Sequence, residues 1–451
     1  MKKYPLSERM NLRKLAVSAL SPIFMMISIS VYSVVDGFFV SNFAGKTPFA
    51  ALNLIYPVIM LLGSLGFMMG SGGSALVAKT YGEGDEELAQ DYFGNAVIFS
   101  IVLGAITSAA TYFFLPDIAI ALGADEEMLP HCVSYGRILV LGITGFNLQN
   151  LFQSFLITAE KPALGFLVTL LAGVINVILD AVLIVGLKMG VRGAAIGTAV
   201  GQAVGGVLPL LYFLHKNNSL LQLRRSKIRI KAIGKMVSNG LGEFVNNISA
   251  SAVSMALNFF LMKYYGENGV GAYGIICYVW MIFAAVFIGY NASVAPRISY
   301  AYGAKDYEGL RILCRDSLIL LLIFGGVQFA LAESLAIPLS YAFAGYDPEL
   351  LQLTTHAFFI YSIIYLFLGV NMFSSAFYTA LNNGPASIAL SFIRLGIFEL
   401  ASVCLLHYVF GGEALWFAVP FGNFLGLIMA FIAIAMGAKK YGYGKPKKEK
   451  E

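Results

Sequence analysis

The chain has little charge, few cysteines and few histidines. Asp, Glu, Lys and Arg make up 12% of its 451 residues, whereas 58% are hydrophobic and the mean hydropathy is +0.77. So few charges could not cover the surface of a soluble protein of this length, which argues against a soluble globular fold. The four Cys and four His are scattered without paired spacing. Neither a disulfide framework nor a metal centre is therefore expected.

Catalytic motifs are also missing. The glycine-rich run after Met69 follows no predicted strand and ends in no Lys-Ser or Lys-Thr pair, so it is not a phosphate-binding loop. No hydrolytic triad or metal-binding spacing is evident elsewhere. We therefore expect neither enzymatic activity nor a cofactor.

Long apolar stretches fill the chain instead. A stretch of about 20 apolar residues favours a membrane-spanning helix over a buried core helix. The stretches are unbroken, whereas barrel strands would alternate in polarity over about ten residues. The sequence thus predicts an all-α integral membrane protein with twelve transmembrane helices, at 15–41, 49–78, 91–115, 130–157, 163–187, 193–214, 236–263, 270–299, 311–333, 351–381, 386–410 and 414–437.

The two halves of the chain repeat each other at an offset of 221 residues. The loop Tyr81-Gly82-x-x-Asp85 aligns with Tyr302-Gly303-x-x-Asp306 without a gap, and Asn150 aligns with Asn371. A duplicated bundle is typical of secondary transporters, in which two lobes rock around a shared site. The predicted divisions are a six-helix lobe at 1–215, a basic linker at 216–234, a second six-helix lobe at 235–438 and a basic tail at 439–451.

Lys and Arg concentrate on one face of the predicted bundle. Most of the 30 lie in the N-terminus, the loops after even-numbered spans, the linker or the tail, and the opposite loops hold only Lys46, Lys188, Arg192 and Lys263. This bias predicts a multi-pass plasma-membrane protein with both termini in the cytoplasm. The net charge of +5 therefore reflects topology. We expect membrane lipids near the basic segments and no nucleic-acid partner.

Ionisable side chains inside spans are costly and mark candidate functional sites. Asp36 lies in the first span, and Tyr32, one turn earlier, shares its helical face. The repeat has Leu257 in place of Asp36, so the acid is specific to the first half. The alternative is that Asp36 is hydrated at the membrane edge. Pro22, in the same span, frees a backbone carbonyl and allows a bend.

A second polar group lies in the fifth and sixth spans. Asn176 and Asp180 are one turn apart and face one way, and Thr198 offers a hydroxyl. Together with Asp36 they predict an oxygen-rich pocket. Two carboxylates buried together resist simultaneous ionisation, so the pair could take and release a proton near neutral pH. The same oxygens could hold Na⁺, and the sequence does not separate these options.

The second half carries its own charges. Glu243 lies early in the seventh span at the repeat position of Pro22, and Arg394 and Glu399 lie in the eleventh span. The last two are five residues apart, about 140° around an ideal helix, and so need not pair with each other. Glu399 could neutralise Arg394 through a neighbouring residue, or Glu243 could do so. A purely structural ion pair is the alternative to a role in transport.

In these features the chain resembles the multidrug and toxic compound extrusion (MATE) family of the MOP flippase superfamily, over essentially its whole length. The resemblance rests on the twelve spans in two lobes and on the order and spacing of several motifs. These are Pro22 and Asp36, Tyr81-Gly82-Glu83-Gly84-Asp85, Asn176-x-x-x-Asp180, Thr198 and Tyr302-Gly303-Ala304-Lys305-Asp306.

The resemblance implies a bacterial inner-membrane antiporter that exports amphipathic, often cationic compounds against a proton or sodium gradient. It implies that the first-lobe acids carry the coupling ion and that Tyr32 lies in their pocket. Glu243 looks like the second-lobe acid of some members. A further acid, found in the tenth span of one branch, has no clear match here, where Asn371 stands nearby. This departure favours the first lobe as the coupling site and, modestly, protons.

Two rival functions follow from other classes. A flippase for lipid-linked sugars or cell-wall precursors of the same superfamily would need a basic cavity suited to pyrophosphate, whereas the charges inside the spans are mostly acidic. A membrane scaffold or receptor would tolerate neutralisation of those acids without loss of any flux. We expect a monomeric transporter of small amphipathic or cationic substrates.

Overall fold

The computed structural model describes residues 4–43 and 46–444, and within these ranges all regular structure is helical. The first lobe contains six helices. These are α1 (Leu12–Phe43), α2 (Lys46–Gly82), α3 (Glu86–Ala121), α4 (Leu129–Thr158), α5 (Pro162–Gly186) and α6 (Val191–Leu214). The last turns of α5, Ala181–Gly186, are π-helical and begin directly after Asp180. Residues 445–451 of the predicted basic tail lie outside the described residues.

The second lobe begins with a helical run of 74 residues, Ile230–Gly303, that is broken at Gly266. Gly266 has φ 60° and ψ −149°, a conformation that a residue with a Cβ adopts only under strain, so the run forms two helices. The helices of this lobe are α7 (230–265), α8 (267–303), α9 (Tyr307–Ala344), α10 (Pro348–Ala380), α11 (Gly384–Phe410) and α12 (Ala414–Lys440). The segment Phe392–Glu399 of α11 is π-helical.

The helices agree with the twelve predicted spans. In the described part of the chain, ten helical stretches are long and apolar enough to cross a membrane, and the longest contains both α7 and α8. The remaining helix, α4, is more polar because it carries buried Asn and Gln side chains, namely Asn147, Gln149, Asn150 and Gln153. The predicted fold class is thus confirmed. The helix α9 continues to Ala344, beyond the predicted end at 333. The prediction followed the length of about 20 residues that crosses a membrane, whereas the helix itself has 38 residues.

The repeated Asp residues begin the third helix of each lobe. Asp85 caps α3 by accepting a hydrogen bond from the Leu88 amide at 2.9 Å, and Asp306 caps α9 by accepting one from the Gly309 amide at 2.9 Å. Each cap satisfies a backbone N–H that the helix leaves without a partner. The repeat of Tyr-Gly-x-x-Asp therefore has a local cause, since each lobe needs the same tight turn between two long helices.

The repeated glycines of these loops bring the two lobes into backbone contact. A Cβ placed on Gly82 would lie 2.1 Å from the Tyr300 carbonyl oxygen, and one on Gly303 would lie 2.0 Å from that of Lys79. Deeper in the interface, a Cβ on Gly240 would lie 1.8 Å from the Met68 carbonyl oxygen. The end of the bundle that carries the linker is therefore closed by contacts that only glycine permits.

The segment before α1 bridges the lobes at the same end. The buried Arg297 guanidinium of α8 donates to the carbonyl oxygens of Tyr4 and Pro5, each at 2.9 Å. The Leu6 amide donates to Glu160 of the first lobe at 2.7 Å. Hydrogen bonds that involve a charged group are the stronger ones, so this segment reinforces the closed end.

We expect the close contact at Gly303 to be intolerant of a single methyl group. Gly303→Ala should lower the melting temperature in detergent, because overpacking against the Lys79 backbone costs about 1–3 kcal/mol. The matched control is Gly274→Ala on the same helix, where a Cβ would meet nothing within 4 Å. That variant should gain up to about 1 kcal/mol from better helix propensity. Equal melting temperatures for the two variants would show that the lobes do not meet this closely.

Candidate functional site

Five side chains identified from the sequence lie together in the first lobe, and we call them the first-lobe pocket. Tyr32 and Asp36 come from α1, Asn176 and Asp180 from α5, and Thr198 from α6. Asp36 is close enough to both Asp180 and Thr198 for their side chains to interact. Asp180 is 0% exposed and Asn176 is 3% exposed, whereas Asp36 is only partly buried. The arrangement places two carboxyl groups at one buried point between three helices.

Most polar atoms of the first-lobe pocket lack a hydrogen-bond partner of ordinary geometry among the described residues. They are Asp36 Oδ1, both carboxyl oxygens of Asp180, Thr198 Oγ1 and both amide atoms of Asn176. A buried polar atom without a partner costs about 1–3 kcal/mol, and more if it is charged. Carboxylate, amide and hydroxyl oxygens are ligands that suit hard cations such as Na⁺. These residues therefore fit either a bound Na⁺ or a proton shared between the acids.

Two glycines of α6 let the acid and amide side chains pack against the helix backbone. A Cβ on Gly197 would lie 2.4 Å from Asp180 Oδ1, and one on Gly201 would lie 3.1 Å from Asn176 Cβ. The two glycines form a Gly-x-x-x-Gly pair on one helix face, which is typical of close packing in membranes. The space that Gly197 and Gly201 leave on α6 is therefore as necessary to the pocket as the polar groups of α5.

Three residues near the pocket were not identified as candidates from the sequence. Tyr56 of α2 and Tyr135 of α4 lie within electrostatic range of Asp36. Gln149 of α4 lies within hydrogen-bonding range of Tyr32. An amide inside an apolar span could have been noticed, but two tyrosines among 24 carry no such signal.

A side chain of the second lobe reaches the edge of the pocket. The hydroxyl oxygen of Tyr278, on α8, lies 3.8 Å from the position that a Cβ on Gly37 would take, next to Asp36. Along the same seam, Ser30 of α1 donates a hydrogen bond to the Met281 carbonyl oxygen of α8 at 3.1 Å. The surroundings of Asp36 are therefore built by both lobes, and a movement of one lobe against the other would change them.

The helix α1 continues past Pro22 from Leu12 to Phe43. A Cβ on Gly289 of α8 would lie 2.7 Å from the Pro22 carbonyl oxygen, so the two helices are in backbone contact there. Proline lacks the amide that would bond the preceding turn, which weakens the helix at this point. The bend at Pro22 stays a prediction.

In the second lobe, Arg394 and Glu399 pair directly. Arg394 Nη1 lies 3.5 Å from Glu399 Oε1, and both side chains are buried. The expected separation of about 140° was wrong, because it applies to an ideal α-helix and both residues lie in the π-helical segment of α11. A π-helix bonds residue i to residue i+5, so side chains five apart come to the same face.

Two asparagines hold Glu399 from the other side. Asn423 of α12 is fully buried and donates to Glu399 Oε1 at 2.9 Å. Asn371 of α10 donates in turn to Asn423 Oδ1 at 3.1 Å and to its carbonyl oxygen at 2.8 Å. Asn371 thus holds the asparagine that contacts the carboxylate, and its own Oδ1 is buried with no partner among the described residues.

Arg394 also contacts α7. Its Nη2 donates to Asn246 Oδ1 at 2.8 Å. Glu243 lies about one turn before Asn246 on α7. It also attracts Arg394 electrostatically, although less strongly than Glu399 does. The four second-lobe candidates, Glu243, Asn371, Arg394 and Glu399, therefore form one connected polar group that is separate from the first-lobe pocket.

Comparison with known proteins identifies the repeat independently. The sequence model of the MatE family matches residues 22–182 and again residues 244–404. The two matches cover most of both lobes, and they end near Asp180 in the first lobe and beyond Glu399 in the second.

Relatives and solved structures agree on the fold. The chain is 25% identical to the probable multidrug resistance protein YoeA of Bacillus subtilis over 67% of each chain. It is 23% identical to an FAD transporter of Shewanella oneidensis over 90% of this chain and 91% of the relative. An outward-facing MATE multidrug resistance transporter superposes with a TM-score of 0.91 at 22% identity, covering 96% of this chain and 97% of the other. A MOP superfamily transporter of Pyrococcus furiosus superposes with a TM-score of 0.89 at 21% identity, with the same coverage.

The buried carboxyl group of Asp180 has no hydrogen-bond partner of ordinary geometry among the described residues and should cost stability in the absence of ions. We expect Asp180→Asn to raise the melting temperature in Na⁺-free detergent solution at alkaline pH, since it removes a buried charge, which costs more than the ~1–3 kcal/mol of a neutral group without a partner. The gain should shrink at acid pH, where protons neutralise the wild-type acids. Asp117→Asn, an exposed acid of α3, is the control and should change little. A lower melting temperature for Asp180→Asn at alkaline pH would contradict the unpaired state of this carboxyl group.

Proposed function

The chain belongs to the MatE family, and from that membership we propose that it is a secondary antiporter that exports amphipathic, cationic compounds in exchange for H⁺ or Na⁺. One observation carries the proposal above all others. Two carboxyl groups, a hydroxyl and an amide meet in the first lobe, beside the seam where α1 meets α8, and most of their polar atoms lack a hydrogen bond of ordinary geometry within the described ranges. Such a site gains from binding a cation, and its surroundings depend on how the lobes are arranged.

The coupling ion binds first in the proposed cycle. A proton or Na⁺ at Asp36 and Asp180 relieves the repulsion between two carboxylates that share a buried site. Thr198 and Asn176 supply neutral oxygens around the ion, and the neighbouring Tyr32 covers α5 where Gly173 leaves space. In this proposal the ion is held by Asp36 of α1, by Asn176 and Asp180 of α5 and by Thr198 of α6.

Ion binding then changes the balance between two arrangements of the lobes. Asp36 lies on α1, which contacts α8 through Ser30 and Met281 and approaches it through Gly37 and Tyr278. Neutralising Asp36 alters the electrostatics of this seam, and the lobes rock to expose the pocket on the other side. Release of the ion there restores affinity for substrate. Coupling of this kind requires only that ion and substrate prefer different states.

The arrangement in the structure corresponds to the outward-facing state in this proposal. The glycine contacts close the end of the bundle that carries the linker and the segment before α1. The distribution of Lys and Arg supports a cytoplasmic location for that end. We accordingly propose a plasma-membrane protein with cytoplasmic termini that acts as a monomer.

Charge in the interior favours cationic substrates. Arg394 is neutralised by Glu399. Arg137 is stacked over the Tyr112 ring at 4.9 Å and has no acidic partner among the described residues, so it is the candidate cation for an anionic substrate. Asp36 and Glu243 are partly accessible acids, one in each lobe. A compound with phosphate groups, such as FAD or a lipid-linked precursor, would need a free interior cation to bind. The relative named as an FAD transporter makes FAD the proper competing substrate in a test.

Transport by proteoliposomes tests the proposal. We expect ethidium movement driven by an imposed proton or sodium gradient, and Asp36→Asn should reduce the gradient-driven component to the level of empty liposomes. The control Asp117→Asn makes the same substitution at an exposed position of α3, and this variant should transport as the wild type does. The gradient that drives the flux identifies the coupling ion.

Three outcomes would count against parts of this proposal. Flux that survives in Asp36→Asn would move ion coupling away from the first lobe. Gradient-driven uptake of FAD, without ethidium flux, would show that the substrate is anionic and not cationic. No flux with either compound, from protein that reconstitutes and unfolds cooperatively, would reject export of both substrate classes.

A further inference from the structure

The polar group of the second lobe is built on the same plan as the first-lobe pocket. On α12, Gly422 and Gly426 form a Gly-x-x-x-Gly pair, as do the two glycines of α6. A Cβ on Gly422 would lie 2.6 Å from Glu399 Cα and 2.8 Å from its Cγ. One on Gly426 would lie 3.0 Å from Arg394 Cγ. In each lobe an acid thus packs against the first glycine, and a polar side chain from about one turn earlier packs against the second.

This correspondence differs from the one that the sequence repeat indicates. A two-residue insertion near Asn383 changes the offset of the repeat from 221 to 223, and the repeat then aligns Glu399 with Asn176 and Val403 with Asp180. By their packing on the glycine pairs, however, Glu399 corresponds to Asp180 and Arg394 corresponds to Asn176. The shift equals about one helical turn, and the π-helical segment of α11 lies just where it arises.

The two sites differ in what neutralises the acid. In the first lobe the carboxyl oxygens of Asp180 have no hydrogen-bond partner of ordinary geometry in the described part of the chain, and the group next to them is another acid, Asp36. In the second lobe the guanidinium of Arg394 lies 3.5 Å from Glu399, and Asn423 donates to the same carboxylate at 2.9 Å. Arg394 is itself 7% exposed and is held by Asn246 at 2.8 Å. A buried, hydrogen-bonded and geometrically fixed cation therefore stands where the first lobe has none.

We propose that the guanidinium of Arg394 is a resident cation, which occupies in the second lobe the position that the coupling ion occupies in the first. The inference rests on the proposed ion-coupled transport. It limits coupling to the first-lobe pocket, because Glu399 stays neutralised in every state of the cycle. It also makes the second lobe a latent Na⁺ site that Arg394 keeps closed to free ions.

The groups around Arg394 are those that a hard cation requires. Without the guanidinium, the carboxylate of Glu399 and the amide oxygen of Asn246 would lose a donor. The amide oxygen of Asn371 already lacks one among the described residues. Glu243 adds a second acid within electrostatic range. Oxygen donors with two negative charges in a buried site favour Na⁺ or another hard cation.

Binding of ²²Na⁺ to purified protein in detergent tests this inference. The background is Asp36→Asn with Asp180→Asn, which disables the first-lobe pocket, and it should bind no Na⁺ saturably. Adding Arg394→Gln should create saturable, stoichiometric Na⁺ binding, and adding Glu399→Gln to that variant should abolish it. Arg394→Lys in the same background retains a tethered cation and should bind none.

Two results would overturn the inference. One is saturable Na⁺ binding by the background that disappears with Glu399→Gln, which would mean that the site is open despite Arg394. The other is an Arg394→Gln variant that is monodisperse and unfolds cooperatively, yet binds no Na⁺. If that variant does not fold, the comparison of the background with and without Glu399→Gln decides. Because the readout is ion binding without flux, a failure of drug export would leave the result intact.

Discussion

A carboxyl group buried next to another acid is the constraint on which the rest of this structure depends. Asp180 is fully buried, neither of its oxygens has a hydrogen bond of ordinary geometry among the described residues, and the side chain within interaction range is the Asp36 carboxyl group. Helices that pack so closely around an unpaired acid lose stability unless a cation or a proton arrives. Asp36 brings a second acid to the same point from α1, so the ionic state of the pocket and the position of α1 are linked. The proposed coupling of ion to movement follows from that link.

Glycine makes both the pocket and the close contact between the lobes possible. On α6 it lets acid and amide side chains approach the helix backbone, and at Gly82 and Gly303 it lets the two lobes touch through their main chains. These main-chain contacts lie beside a buried apolar cluster that Met236 of α7 shares with Met69 and Leu76 of α2. The same loops cap α3 and α9 through Asp85 and Asp306, which explains why a short motif appears twice.

The two lobes have kept one packing plan and diverged in charge. Each sets an acid and a second polar side chain against a Gly-x-x-x-Gly pair on its last helix. In the first lobe the second side chain is the neutral Asn176, and the acid remains available to an ion. In the second it is Arg394, which pairs with Glu399. This division would make one lobe the ion-binding partner and the other a permanently neutralised support.

The sequence by itself determined the number of spans, the internal repeat and the five candidates of the first-lobe pocket. Those features are legible because a charge or a strongly polar group inside an apolar helix is costly and therefore stands out. Tertiary structure alone decided which groups meet. The pairing of Arg394 with Glu399 depends on a π-helical segment, and the approach of Tyr278 to Gly37 depends on how two lobes dock. Neither follows from periodicity, because a helix pattern shows which face a side chain occupies but not what packs against that face.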